Sequence, residues 1–415
     1  MLVITLKILI PFLILMQILP FLIWLERKGA AYIQDRRGPN RASILGLRLG
    51  GLIHSLADVV KLVFKEDIYP TKANKFVYAL APFLAMAVAC MTFAVIPWAA
   101  PLSLNGQAFS LQAADLSVGI LYIFAISSMG VYGIMLAGWG SNNKYSLLGG
   151  LRSSSQMISY ELTLSLSVVG VLILAGSLDL GTIVADQSEK LWNWNVLRQP
   201  LGCLLFIVAA FAETNRLPFD LPEAEAELVA GYHVEYSSLK FALFFMAEYV
   251  NMTIASALMA TLFFGGWQVP FVATETLRAH ATPILYYSVI GFGVISILLG
   301  WIILKRKRVA NYRDARRFEP KVVGIPAILV GMILVVGQTL LGPVALGSTG
   351  SQVAAAAFQF GAFLAKILFF CWVFIWVRWT LPRFRYDQLM QLGWKVMLPL
   401  AIVNVAATAA VYLLL

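Results

Sequence analysis

Several of the acidic side chains that could do chemistry lie in one short segment of this sequence. They are Glu213, Asp220, Glu223, Glu225 and Glu227, with Glu235 shortly after. A charge run of this kind is ordinarily a solvated face. Here Phe219 and Leu228 interrupt the run, and two strongly apolar segments flank it. The pattern therefore favours a partly buried, turn-rich loop whose carboxylates can hold or transfer protons.

Two further carboxylates lie inside apolar segments. Glu161 follows Ser159 and Tyr160, and Glu248 stands in a run rich in phenylalanine. An ionised carboxylate at the centre of a bilayer costs roughly 2.5–3.5 kcal/mol on insertion scales. Each group is therefore expected to face the protein interior, to pair with a cation, or to keep its proton. A hydrogen-bonded contact between helices would meet this need, but two such acids beside an acidic loop favour a proton-handling chain.

Basic side chains cluster after the first apolar segment. Arg27 and Lys28 come directly after it, and Arg36, Arg37 and Arg41 follow within one turn-rich stretch. Arg and Lys at the end of a membrane span are ordinarily anchors. A guanidinium group can also hold an acidic partner surface or the carbonyl oxygen of a quinone headgroup. Both interpretations are open for this cluster.

The elements that must position these residues are membrane spans. Of the 415 residues, 60% are hydrophobic and 13% are charged, and the mean hydropathy is +0.81. In a soluble domain, about a quarter of all residues are charged. We predict an all-α polytopic membrane protein with about ten transmembrane helices, because the apolar runs are about 20 residues long, the length that crosses the hydrocarbon. The predicted spans are 2–25, 76–99, 117–138, 157–176, 196–212, 240–265, 284–304, 323–345, 356–379 and 394–415.

Positive charge predicts the orientation of these helices. All but five of the 31 Lys and Arg residues fall in the alternate loops 26–75, 139–156, 213–240, 305–322 and 378–395. By the positive-inside rule, these loops face the cytoplasm. Both termini are therefore predicted on the non-cytoplasmic side of a bacterial inner membrane. The formal net charge of +10 calls for no nucleic-acid partner, because orientation and anionic lipid account for it.

The first of these loops contains a second kind of element. Within residues 42–65, apolar side chains recur every three or four positions from Leu45 to Val63, and Ser55 and Asp58 occupy another side. This periodicity predicts an amphipathic helix at the membrane interface.

The sequence offers no motif for a resident redox group or metal. Its three cysteines, Cys90, Cys203 and Cys371, are scattered through apolar runs, and its three histidines lie outside the predicted spans. We expect no redox centre in this chain alone, so electrons must come from a partner.

Several long strings of residues resemble those of one known family. They lie at 25–28, 34–40, 57–66, 141–161, 212–229, 235–249 and 376–395. Together they resemble the quinone-chamber membrane component, called the H subunit, of respiratory complex I, the proton-pumping NADH:quinone oxidoreductase. The resemblance covers 1–268 and 356–415, and strings of this length in register are far more specific than a single motif.

The resemblance implies a long cavity that admits a membrane quinone, ubiquinone or menaquinone, beside the amphipathic helix. By position, it implies that this cavity is lined or shaped by Arg27, Gln34, Arg36, Asp58 and Phe245. It further implies a polar path toward antiporter-like subunits through Arg152, Glu161, Glu213, Glu223, Glu225, Glu227, Glu235 and Glu248. The implied partners are peripheral quinone-site and iron–sulfur subunits, small membrane subunits, antiporter-like subunits and membrane lipid.

The sequence departs from the family pattern in two places. Ala224 and Ala226 stand where the acidic string usually has glycine and a hydroxyl residue, so the loop is expected to be stiffer. The family core has eight spans, whereas this chain inserts a helix pair within 269–355 and joins its members by a basic loop. We predict that this pair serves assembly, lipid contact or an accessory subunit, and takes no part in turnover.

Two other functions compete with this interpretation. The homologous membrane subunit of a membrane-bound hydrogenase or formate-oxidising complex needs no quinone. The full-length acidic loop and Phe244-Phe245 with Glu248 favour the quinone enzyme. A stand-alone transporter is disfavoured because the chain shows neither a strong inverted repeat nor a matched pair of broken spans.

Overall fold

The computed structural model describes residues 2–104, 107–188, 190–220, 231–305 and 318–414, and these residues are mainly helical. The helices are α1 (Leu2–Ile33), α2 (Ile53–Phe64), α3 (Lys75–Thr92), α4 (Gly119–Ser128), α5 (Gly130–Gly140), α6 (Lys144–Ala175), α7 (Leu180–Asp186), α8 (Asn195–Arg198), α9 (Pro200–Glu213), α10 (Ser238–Phe263), α11 (Thr274–Ala279), α12 (Ala281–Leu304), α13 (Glu319–Leu341), α14 (Ser348–Thr380), α15 (Tyr386–Gln391) and α16 (Leu398–Leu414). Strands β1 (Leu102–Leu104) and β2 (Gln107–Phe109) form one antiparallel hairpin.

Among the described residues, nine helical segments are long and apolar enough to cross a membrane. They are Lys7–Ile33, Lys75–Val95, Gly119–Gly140, Lys144–Ala175, Ser238–Phe263, Ala281–Leu304, Glu319–Leu341, Ser348–Thr380 and Tyr386–Leu414. Each corresponds to one of the ten predicted spans, and the all-α polytopic class is confirmed. The tenth predicted span, 196–212, is represented by the shorter helix α9.

Helix α9 has 14 residues and therefore rises about 21 Å, less than the ~30 Å of bilayer hydrocarbon. The chain leaves the helix at Glu213 and continues as a non-helical loop. Non-helical backbone at membrane depth is tolerated only where protein surrounds it. The loop meets this condition, since Thr214, Asn215, Arg216 and Asp220 are all buried.

Two helices extend beyond their predicted ends. Helix α1 continues to Ile33, and α6 begins at Lys144, inside the segment 139–156 that was predicted as a loop. The Asn143 side chain caps α6 by accepting a hydrogen bond from the Tyr145 backbone N–H at 2.9 Å. The loop prediction is therefore wrong there, because hydropathy marks the apolar part of a helix and not its capped end. Arg152 consequently lies on a helix.

The predicted amphipathic helix is confirmed over Ile53–Phe64 and wrong before it. Residues 42–48 are not helical, and Gly46, Gly50 and Gly51 all have positive φ, which an α-helix does not accept. The Ser55 hydroxyl of α2 donates to the Pro20 carbonyl of α1 at 2.9 Å. Ile53 is also buried, but most of the apolar side chains of α2 are exposed on this chain; they are Leu56, Val59, Val60, Val63 and Phe64.

The main apolar core forms where α1, α6, α9, α10 and α14 meet. Aromatic rings hold several of these contacts. Phe211 of α9 stacks on Phe374 of α14 with ring centres 4.0 Å apart, and Phe206 packs on Phe263 of α10 at 5.5 Å. The buried charges described below lie on α1, α10 and α14 and in the loop after α9.

The helix pair predicted as an insertion corresponds to α12 and α13, which pack mainly against each other. Gly300 faces Gly324 and Gly293 faces Gly331 so closely that a Cβ atom on Gly331 would lie 2.5 Å from the Gly293 carbonyl oxygen. Beside this seam the Ser296 hydroxyl donates to the Ala327 carbonyl at 2.7 Å. Small residues with one interhelical hydrogen bond are a usual means of helix association in lipid. Most of the large apolar side chains of both helices are exposed to the surroundings.

Candidate functional site

A cluster of buried charges gathers around Arg216, in the loop after α9. Its Nη1 lies 2.9 Å from Glu26 Oε2 of α1, and its Nε pairs with Glu248 Oε1 of α10. The guanidinium carbon lies 4.3 Å from the centre of the Tyr249 ring. The Arg216 side chain is only 2% exposed, so one buried cation serves two carboxylates.

A second cation completes this Arg216 network. Arg378, near the end of α14, pairs with the other carboxylate oxygen of Glu26, and the Tyr249 hydroxyl donates to Glu26 Oε2 at 2.9 Å. The network thus holds two guanidinium groups and two carboxylates, drawn from α1, α10, α14 and the loop after α9. Removing one partner of such a buried pair leaves an uncompensated charge at a cost of about 3–5 kcal/mol.

The loop that carries Arg216 is held in place by α6. The Gln156 side-chain amide donates to the carbonyls of Ala212 at 2.8 Å and Phe219 at 2.9 Å. The Asn215 amide in turn donates to the Ser153 hydroxyl at 2.9 Å. These bonds satisfy loop carbonyls that lack helical partners, which explains how an irregular backbone persists among apolar helices.

The far end of the same loop carries a further pair. Arg383 Nη2 donates to Asp220 Oδ2 at 3.2 Å. Burial raises the pKa of Asp220, and the positive charge of Arg383 offsets this in part. His233 lies nearby on the other side of the acidic segment, and burial lowers its pKa to about 4. It is therefore an uncharged neighbour at neutral pH.

Glu248 lies between two small cavities. One, of about 70 Å³, is lined by Glu248, Glu213, Asn251 and Ser127 together with apolar side chains. The other, of about 30 Å³, is lined by Glu248, Arg216, His233, Phe245 and Arg378 among others. A water molecule needs roughly 10–15 Å³ of such space. Both cavities can hold water beside a carboxylate, and neither is large enough for a quinone ring.

The other intramembrane acid, Glu161, lies apart from the Arg216 network. It accepts a hydrogen bond from the Ser128 hydroxyl at the end of α4. It lies within electrostatic range of Glu213, which is on the wall of the larger cavity. The structure therefore arranges Glu161, Glu213 and Glu248 along one region, with the larger cavity beside the latter two.

The residues predicted to line a quinone cavity form two exposed pairs and one half-buried aromatic contact. Arg27 is paired with Asp58, which joins α1 to α2. Arg36 Nε donates to Gln34 Oε1 at 2.7 Å. Phe245 lies on the wall of the smaller cavity and packs edge-on against Tyr249 with ring centres 5.0 Å apart.

The remaining predicted path residues are placed less centrally. Glu235 accepts a hydrogen bond from the Asn143 amide at 2.6 Å, which ties the segment before α10 to the start of α6. Arg152 is exposed on α6. Glu223, Glu225 and Glu227, like Ala224 and Ala226, lie outside the described residues.

Sequence reasoning missed most of the Arg216 network. It selected Glu248 as an intramembrane acid but gave no role to Glu26, Arg216, Arg378 or Tyr249. A signal was available, because a carboxylate at a span end must be paired and the two arginines also flank spans. The partners are 190 and 352 residues apart in the chain, however, and no local pattern reports contacts at that separation.

The fold and this network define a polytopic membrane protein with paired charges inside its helix bundle, and comparison with known proteins identifies the class. Residues 6–409 match the family model described as NADH dehydrogenase. The chain is 43% identical over 389 residues to the NADH-quinone oxidoreductase H subunit 1 of Cytophaga hutchinsonii, covering 94% of this chain and 90% of that protein. It is also 44% identical over 390 residues to NADH-quinone oxidoreductase subunit 8 of Rhodothermus marinus, covering 94% and 91%.

A third relative is similar to the same extent. The NADH-quinone oxidoreductase H subunit of Salinibacter ruber is 43% identical over 386 residues, covering 92% of this chain and 88% of that protein. The chain belongs to the NADH dehydrogenase family. It is a multi-pass membrane subunit of an NADH:quinone oxidoreductase, and other subunits of that complex are its partners. The resemblance in the sequence motifs is thereby confirmed.

Proposed function

We propose that this subunit forms part of the path by which a membrane quinone, ubiquinone or menaquinone, reaches its site of reduction. We further propose that its buried carboxylates couple that reduction to proton translocation. The observation that carries the proposal is the position of Glu248, which pairs with Arg216 and borders both cavities. A single ionisable group there links the loop side of the bundle to its interior.

The proposed coupling follows from charge. Reducing a quinone to quinol takes up two electrons, supplied by NADH through partner subunits, and two protons. At an effective dielectric constant of about 20, a unit charge 4 Å away is worth roughly 4 kcal/mol. One pKa unit corresponds to about 1.4 kcal/mol, so a transient charge near the network is sufficient to change the protonation of Glu248.

The positions of the carboxylates support a path for proton transfer that starts at Glu248. A proton taken up by Glu248 weakens its pair with Arg216, and the larger cavity then offers water between Glu248 and Glu213. Glu161, hydrogen-bonded to Ser128, lies within electrostatic range of Glu213. In this proposal Glu235 and Arg152, with Glu223, Glu225 and Glu227 of the intervening acidic segment, continue the polar path toward antiporter-like subunits.

Quinone access is assigned to the region around α2. Its exposed apolar side chains suit contact with lipid and an isoprenoid tail. The paired Arg27 and Asp58 fix α2 against α1, while Arg36 and Gln34 present polar groups beside it. In this proposal, the headgroup chamber is completed by a peripheral subunit that carries an iron–sulfur cluster.

The proposed setting is a bacterial inner membrane with both termini on the non-cytoplasmic side. The relatives described above bear the name of the quinone enzyme, which favours it over a hydrogenase or formate-oxidising complex. Small membrane subunits complete the proposed set of partners.

The test replaces single carboxylates by their nearly isosteric amides. We expect Glu248→Gln and Glu161→Gln to assemble and to reduce NADH:quinone activity and vesicle acidification together, at least tenfold. The double variant should be little worse than the more severe single variant, since both act in one chain of proton transfers. The measurements are made on membrane vesicles that contain the fully assembled complex.

The matched control is Glu275→Gln, an exposed glutamate on α11, which should leave both activities unchanged. If both intramembrane variants pump protons at the wild-type rate, the carboxylates are structural hydrogen bonders and the coupling role is wrong.

A further inference from the structure

The inserted helix pair touches the segment that leads into α2. Helix α13 begins at Glu319, and Glu319 Oε1 accepts a hydrogen bond from the Gly50 backbone N–H at 3.3 Å. The Trp24 indole N–H of α1 donates to the carbonyl of the same glycine at 3.2 Å. The Gly50 N–H is therefore held by Glu319 of the predicted inserted pair, and the Gly50 carbonyl is held by Trp24 of α1.

Gly50 and Gly51 form the turn that aims α2. Their φ angles are +63° and +101°, in the left-handed region that favours glycine. A side chain on Gly51 would collide with the Pro39 carbonyl, so the turn packs closely on the preceding loop. Only Leu52 separates the turn from the first residue of α2. A change in this turn would therefore shift the start of α2, while the contacts of Ser55 and Asp58 hold the rest of the helix against α1.

The two helices of the pair are tied to each other along the glycine seam and also at the end opposite Glu319. At the end opposite Glu319, the Thr282 hydroxyl accepts a hydrogen bond from the Leu346 backbone N–H at 3.3 Å. Between these ends the glycine seam keeps α12 and α13 in contact along their length. Glu319 is therefore carried by a helix that is held in contact with α12, and its carboxylate accepts from Gly50.

We infer that the inserted pair sets the entrance for the quinone, with Glu319 as a positioning residue that acts through the Gly50–Gly51 turn on α2. The inference rests on the proposed function of α2 as part of that entrance. It gives the pair a role in substrate access, in addition to the assembly or lipid contact predicted from the sequence, and no role in the redox chemistry.

The test uses the intact complex in membrane vesicles. In Glu319→Ala we expect the KM for a long-tailed quinone to rise about two- to tenfold, the range that loss of one hydrogen bond supports. Activity with a short, water-soluble quinone and with an artificial acceptor upstream should stay at the wild-type level. In Glu319→Gln the amide oxygen still accepts from Gly50, so the KM should remain close to wild type. Lys321→Ala, an exposed change two residues further along α13, is the matched control.

A second measurement reads the turn directly. Hydrogen–deuterium exchange of a peptide covering 49–52 should accelerate in Glu319→Ala and in Glu319→Asp, whose carboxylate is withdrawn by one methylene. Unchanged exchange overturns the inference, and so does an equal loss of all three activities, which would mean that Glu319 only holds the complex together.

The inference and the proposed function fail in different ways. A KM that is unchanged in Glu319→Ala but raised in Asp58→Asn refutes the role of the pair and leaves quinone access at α2 standing. A KM unchanged in both variants removes the proposed access site itself.

Discussion

Arg216 illustrates how an irregular loop can carry a charge into a helix bundle. Its guanidinium group faces Glu26 and Glu248, and the Tyr249 ring covers one side. Arginine suits this place because its planar fork serves two carboxylates and it keeps its charge when buried. Each partner comes from a different segment, so the charges also fix how those segments meet.

Loss of Arg216 should therefore destabilise the protein more than loss of an exposed arginine. We expect Arg216→Ala to cost about 3–5 kcal/mol, since it leaves buried carboxylates uncompensated. Arg198→Ala breaks a pair with Asp186 at the surface and should cost no more than about 1 kcal/mol. The measurement is thermal dissociation of the assembled complex at neutral pH. Equal losses in the two variants would show that the buried network contributes little to stability.

Variants of Arg36 and Asp58 test the proposed quinone access at the level of single residues. Arg36→Ala or Asp58→Asn should depress quinone reduction about tenfold while electron transfer from NADH to an artificial upstream acceptor is spared. The expected loss corresponds to about 1.4 kcal/mol, one polar contact to the substrate or its entrance. Glu66→Gln, an exposed change just beyond α2, provides the control. A parallel loss of both activities would mean that these residues only maintain assembly.

The elements differ in how far the sequence determines them. Spans are predictable because a bilayer demands about 20 apolar residues in one helix, and nine of the ten predicted spans have such a helix. The tenth, α9, is shorter because the loop after Glu213 is buried by protein, a tertiary effect that hydropathy does not report. Likewise, the periodicity of 42–65 continued through Gly46, Gly50 and Gly51, where positive φ ends any helix.

The packing of α12 against α13 through the glycine seam can be tested by substitution. Gly331→Ile places a branched side chain where a Cβ atom would already lie 2.5 Å from the Gly293 carbonyl oxygen. The helices must then separate, at a cost of about 1–3 kcal/mol. Gly291→Ile on the opposite helix meets nothing within 4 Å and should be tolerated. Disulfide formation between Ser296→Cys and Ala327→Cys should fall in the first variant only, and equal yields would contradict the seam.

At the scale of the whole molecule, only part of the candidate site could be predicted from the sequence. Glu161 and Glu248 stand out because each is a carboxylate inside an apolar run, and Glu213 stands out because it begins the acidic segment. Glu26 and Arg378 give only a weak signal, since charges at span ends are commonly anchors. Their role emerges only when α1 and α14 are brought together, 352 residues apart in the chain. Long-range pairing of this kind belongs to the packing of the bundle and not to any segment.

The orientation of the protein in the membrane is also a property of the whole molecule. The Gly50–Glu319 bond places the first loop and the start of α13 at one end of the bundle, whichever way the protein inserts. That end carries the basic loops, and each Lys or Arg near anionic lipid contributes about 1 kcal/mol toward facing the cytoplasm.

Lys321→Cys should therefore react with a membrane-impermeant thiol reagent only in inverted vesicles. Lys190→Cys, an exposed position before α8, should react only in intact spheroplasts. A Cys90→Ser background removes the one native cysteine that is not fully buried among the described residues. Labelling of both positions from the same side would break the ten-helix arrangement, whereas a clean reversal of the two would place the termini in the cytoplasm.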